Sequence, residues 1–174
     1  MTTSRCARDW TAATPARGRF LARWSCAGLL GLLLAVVPSG HAPAEPSVRL
    51  AVIVNPAVPA TTLGAAELAS IFTRATRTWK DGTTVRALNL PQGSPERVEF
   101  DRVVLDMSPD RSAQFWIDRQ IRGEEAAPKA IAQAEIVARL IPTLAGSIGY
   151  VPEAKVDAKV RVVARIHGGK LVAP

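Results

Sequence analysis

Cysteine is all but missing from this chain. Only two occur in 174 residues, Cys6 and Cys26, and both lie in its first stretch. With residues 1–44 read as a removable leader, residues 45–174 can form no disulfide and hold no thiolate-bound metal. Histidine is as scarce: His41 belongs to the same leader, and His167 stands alone beside Gly168-Gly169, where it reads as a surface residue. No serine sits in a Gly-x-Ser-x-Gly setting, so the nucleophile–base pairs of covalent catalysis have no candidates. The acidic residues are scattered and read as helix-start charges or solvated faces, and metal ligands at usable spacing are missing. The chain is therefore read as non-enzymatic, with no cofactor and no metal.

Long apolar runs are lacking too. Cys26–Val37 (CAGLLGLLLAVV) counts twelve residues, short of the about 20 that a membrane-spanning helix needs. Arg5, Arg8, Arg17, Arg19 and Arg23 precede or flank it with the single acid Asp9, and Ala42-Pro43-Ala44 follows. That order reads as a secretion signal cut before Glu45, which would deliver residues 45–174 to the periplasm as one domain. An uncleaved anchor is the alternative, since the basic region is long; a lipoprotein is disfavoured, because Cys26 opens the apolar run instead of closing it. Nor is there a strong charge of one sign. The formal +7 includes five leader arginines against one aspartate, and residues 45–174 carry 17 basic and 14 acidic residues, a net of +3. That gives no case for nucleic-acid binding. A domain of this size buries roughly two-thirds of its unfolded surface, enough for one ordinary core.

What is present reads as alternating strands and helices. Val48–Val54 (VRLAVIV) is nearly continuous in β-branched and aliphatic residues, as in a strand buried on both faces, and Asn55-Pro56 stops it. The stretch Leu63–Leu90 organises the rest. Leu68, Ile71 and Phe72 fall at i, i+3 and i+4 of a helix, with Glu67 in its first turn. Asp81-Gly82 marks a turn, and Thr83–Leu90 predicts a strand. Trp79, with Arg74, Arg77 and Lys80 about it, reads as an indole anchoring a solvated basic turn.

Ser94-Pro95 is an N-cap followed by a first-turn proline, with Val98, Phe100, Val103, Val104 and Met107 as an apolar helical face. Ser108-Pro109-Asp110 repeats the device ahead of a helix over Arg111–Arg122, for which Phe115, Trp116 and Ile121 are the expected core residues, and Gly123 ends it. Lys129–Ile141 predicts a further helix closed by Pro142. Ala145–Pro152 reads as a glycine turn into a buried strand, and Lys159–Ile166 as the last strand. The tail His167–Pro174 is expected to be loosely held.

The order E-L-x-x-I-F at Glu67–Phe72, T-W-K-D-G at Thr78–Gly82, then FWIDRQIRGEEAAP at Phe115–Pro128 and TLAGSIGYVP at Thr143–Pro152 resembles the periplasmic phosphate-binding proteins of ABC transporters, in particular short single-lobe relatives. The resemblance covers roughly Val48–Ile166. It implies an α/β fold, a mixed sheet of four or five strands with helices on its faces, like one lobe of a type 2 periplasmic binding protein. It also implies a ligand, phosphate or another small anion, and a periplasmic or membrane protein as partner. The family's anion turn follows a pattern close to Arg-Ser-Asp-Gly-Ser-Gly-Thr. This chain keeps Gly93 and Ser94, but has Leu90 for the arginine, Pro95 for the glycine and Glu96 for the threonine. The arginine's fork is lost, the proline deletes an N–H donor, and Glu96 repels an anion. Gly93 and Ser94, with Arg97 as partial compensation, are the candidate anion ligands, and a plain helix cap is the simpler reading of the same residues. Two functions stay open: a solute-binding-like protein that takes phosphate weakly, or an interaction module that keeps the lobe and has lost the ligand.

Overall fold

The computed structural model describes residues 48–174; the leader expected over residues 1–44 lies outside the described residues. Strand β1 (Leu50–Val54) is buried along its whole length. The chain then forms helix α1 (Ala65–Phe72), strand β2 (Arg86–Asn89), helix α2 (Pro95–Phe100) and a π-helical turn (Asp101–Leu105). Helix α3 (Pro109–Ile121), strand β3 (Lys129–Ala130) and helix α4 (Ala134–Leu140) come next, then strands β4 (Ser147–Pro152), β5 (Arg161–His167) and β6 (Lys170–Val172). The sheet order is β3-β2-β4-β1-β5-β6. It is mixed: β2 runs parallel to β3 and β4, while β1 is antiparallel to both β4 and β5.

The central position of β1 explains its unbroken apolar sequence, since both of its faces and both of its edges are covered. Side chains alternate across a strand, so neighbouring residues of β4 identify what covers each face. Tyr150 meets Phe72 of α1 and Phe100 of α2, with the Phe100 ring stacked at 4.0 Å. Gly149 faces the other way, close under Val137 and Ile141 at the end of α4. The sheet is thus sandwiched between α1 with α2 and α4.

The α/β class and the single mixed sheet are as expected, though with six strands rather than four or five. Trp79 is buried, and its Nε1 donates to the Gly146 carbonyl at 2.9 Å, as an anchoring indole should. Gly146 itself has φ +71°, and a β-carbon there would meet the Thr84 carbonyl, so this turn needs glycine.

Three expectations are corrected. Lys129–Ala130 is not helical: it pairs with Leu88–Asn89 as the outermost strand, Ile131 N–H donates to the Asn89 carbonyl, and the helix begins only at Ala134. The edge of β2 needed partners, and that demand outweighed local helix propensity. The tail is not loose, because Gly168 and Gly169 both take positive φ and turn β5 back into β6, the hairpin geometry that adjacent glycines allow. Ile121 is 78% exposed rather than core-facing, and Phe115 and Trp116 are only half-buried. Helix α3 is an outer element, tied to the end of α1 by Arg119, whose Nη1 donates to the Thr73 carbonyl and whose guanidinium lies over Phe115 and Trp116.

Candidate functional site

The turn after β2 is built as the sequence indicates. Ser94 N–H donates to the Pro91 carbonyl, and exposed Gly93 lies between them. Ser94 is the N-cap of α2: its hydroxyl accepts from Arg97 N–H at 3.2 Å, and Pro95 holds the first helical position. The capping chemistry consumes most of what an anion would use. Pro95 has no N–H, the Arg97 N–H is spent on Ser94, and the Val98 N–H closes onto the Ser94 carbonyl. Helix geometry leaves the Glu96 amide, on the residue that brings its own carboxylate.

Arg97 does not join Gly93 and Ser94 at the surface. The rotation of about 100° per residue turns it under the helix, where it is only 7% exposed. Its Nε lies 2.7 Å from both carboxylate oxygens of Asp101, itself 3% exposed. Its outer nitrogens make longer contacts, Nη1 with the Leu90 carbonyl at 3.5 Å and Nη2 with the Ser112 hydroxyl at 3.4 Å. Beside this pair, Tyr150 O–H donates to Asn89 Oδ1 and accepts from Leu90 N–H. Burial pushes the Tyr150 phenol well above its ordinary range, against the pull of the Arg97 charge, so the hydroxyl stays a neutral donor.

Asp101 is the buried partner of Arg97 that reading the sequence missed. Arg97, Phe100, Asp101 and Val104 fall at i, i+3, i+4 and i+7, and all four are buried. The stripe was visible, but two of its members are charged, and charged residues are assigned by default to solvated faces. Opposite charges four residues apart within an apolar stripe were the available signal.

Two concavities stand out among the described residues, and one of them borders this turn. A cleft of about 240 Å³ lies between the Pro91–Glu96 turn and residues Ala132–Glu135 at the start of α4. Glu96 and Glu135 both line it, and the hydrogen bond from Lys155 holds the Glu135 carboxyl below the usual range, so it stays ionised. Two carboxylates at its rim make this cleft a poor host for an anion. A larger groove of about 410 Å³ runs between the Pro59–Leu63 segment, α1 and the Thr76–Lys80 turn, with Trp79 and Ile71 in its wall. The basic turn beside it is only partly neutralised, as Arg74 and Arg77 share the one carboxylate of Glu125 at 3.0 Å each. Among the described residues, no group of three or more histidines, cysteines or acids could hold a metal ion.

No family model matches the chain, and no curated protein matches it by sequence. Solved structures do share its fold. An ABC-type phosphate transport receptor from Vibrio cholerae is similar over 67% of this chain and 46% of its own, at 17% identity and a TM-score of 0.53. PstS from Borrelia burgdorferi is similar over 67% of this chain and 47% of its own, at 16% identity and a TM-score of 0.52. The chain spans less than half the length of either protein. At that identity the likeness is one of fold: this mixed α/β sheet with its helices matches one lobe of a PstS-like periplasmic binding protein.

Proposed function

We propose that this chain is an exported, solute-binding-like lobe whose anion turn is internally satisfied, so that it works as a periplasmic interaction module and takes phosphate at most weakly. The observation that carries the reading is the turn itself. Of the three candidate ligands, Ser94 caps its own helix, Arg97 is bound to Asp101, and Gly93 is left with a carboxylate-bearing neighbour, Glu96. A ligand gripped by one or two donors at an exposed half-site should bind no better than about 1 mM, near 4 kcal/mol. Calorimetric titration of the purified domain with phosphate checks this. Replacing Pro95→Gly together with Glu96→Thr should strengthen any anion binding, by restoring an N–H and removing a repulsion. Micromolar phosphate binding by the unmodified chain would instead favour the first reading, a working phosphate-binding protein completed by a second lobe or subunit.

Export is part of the proposal, and it rests on the arginine-rich start, the apolar run and Ala42-Pro43-Ala44. The periplasmic fraction should yield a protein whose intact mass begins at Glu45. A membrane-bound product retaining residues 1–44 would replace the signal peptide with an anchor.

A further inference from the structure

We propose that the Asp101 carboxylate is a built-in ligand, an internal carboxylate that fills an oxyanion receptor centred on Arg97 and closes it to external anions. The inference rests on the reading above that the turn is internally satisfied, and it goes further in naming the group that takes an anion's place. The receptor is a guanidinium, a group that cannot deprotonate and carries five N–H donors, held beneath α2 with its charge matched by one carboxylate. Its outer nitrogens also reach the Leu90 carbonyl at 3.5 Å and the Ser112 hydroxyl at 3.4 Å. The pair differs from the other close pair of this segment, Arg102 with Glu99, whose arginine side chain is 57% exposed, against 8% for Arg97 and 4% for Asp101. The helix also changes register at this residue: the π-helical turn begins at Asp101, whose carbonyl accepts from Met107 N–H. Such π turns are frequent at functional sites.

The receptor's natural class of occupant is a small planar carboxylate. Removing the Asp101 carboxylate while keeping its β-carbon leaves a space shaped for formate; removing the β-carbon as well leaves one for acetate. The test is the melting temperature of Asp101→Ala in sodium formate and of Asp101→Gly in sodium acetate, each against sodium chloride of equal ionic strength. For a site of about 10 mM affinity, about 100 mM formate should raise the melting temperature of Asp101→Ala by about 5 °C, saturably. Neither the unmodified chain nor Arg97→Met/Asp101→Ala should respond. No anion-specific rise in either single variant, or an equal rise in the unmodified chain, overturns the proposal. Should both single variants fail to fold, the Arg97 Nε–H resonance of the unmodified chain decides. It should not move on addition of formate or phosphate, and a saturable shift would show that the receptor is open. Micromolar phosphate binding with that resonance unmoved would sink the functional reading and leave this inference standing, whereas failed rescue without phosphate binding would do the reverse.

Discussion

Trp79→Ala is expected to destabilise the domain by about 3–5 kcal/mol, as for truncation of a buried aromatic. The indole is 7% exposed and belongs to the core cluster of the described residues. Its Nε1 donates to the Gly146 carbonyl, which also accepts from Arg86 N–H, so one carbonyl ties the basic turn, β2 and the entry to β4 together. The backbone of Trp79 is equally engaged: its N–H donates to the Thr83 carbonyl, and its own carbonyl accepts from Gly82 N–H. Truncation therefore opens a cavity beside the groove and leaves a carbonyl with one partner fewer. Trp79→Phe, which keeps most of the volume and loses the donor, should fall between Trp79→Ala and the unmodified chain. Chemical denaturation measures both. Unchanged stability with loss of partner binding would place the indole on a recognition surface instead.

Arg97→Met should be as damaging, at about 3–5 kcal/mol, because it strands a buried carboxylate. The same reasoning gives the opposite result for the pair. Arg97→Met with Asp101→Leu removes both charges and fills similar volume, and should lie within about 1 kcal/mol of the unmodified chain or above it in stability. The strong non-additivity expected of the two substitutions is the signature of a contact made within one desolvated site. If the single and double variants were equally unstable, Arg97 would matter for its packing stem and not for its charge. A double-mutant cycle by denaturant unfolding separates the two cases.

Much of the fold could be read from local sequence because the signals were strong and agreed with one another. The apolar run at Leu50–Val54, the i, i+3, i+4 stripe of Leu68, Ile71 and Phe72, and the two Ser-Pro caps each specify their element through short-range physics. Periodicity, first-turn proline and a hydroxyl acceptor act within about one helical turn, so they survive without knowledge of the rest of the chain.

Where reading failed, the deciding partner was remote in sequence. Lys129–Ala130 became a strand because β2, some forty residues earlier, offered it an unpaired edge. Ile121 is exposed because α3 packs by its Arg119 end on α1 and not on the sheet. Arg97 illustrates both sides. Helical rotation alone turns it away from Ser94, although the sequence still left it a candidate for the anion turn. Only the packing of α2 between Tyr150 of β4 and Ser112 of α3 determined that the side chain would be buried. Burial is what turns an i,i+4 Arg–Asp pair from a minor surface contact into a closed internal site, since the strength of such a pair is set by how much water the surrounding elements exclude.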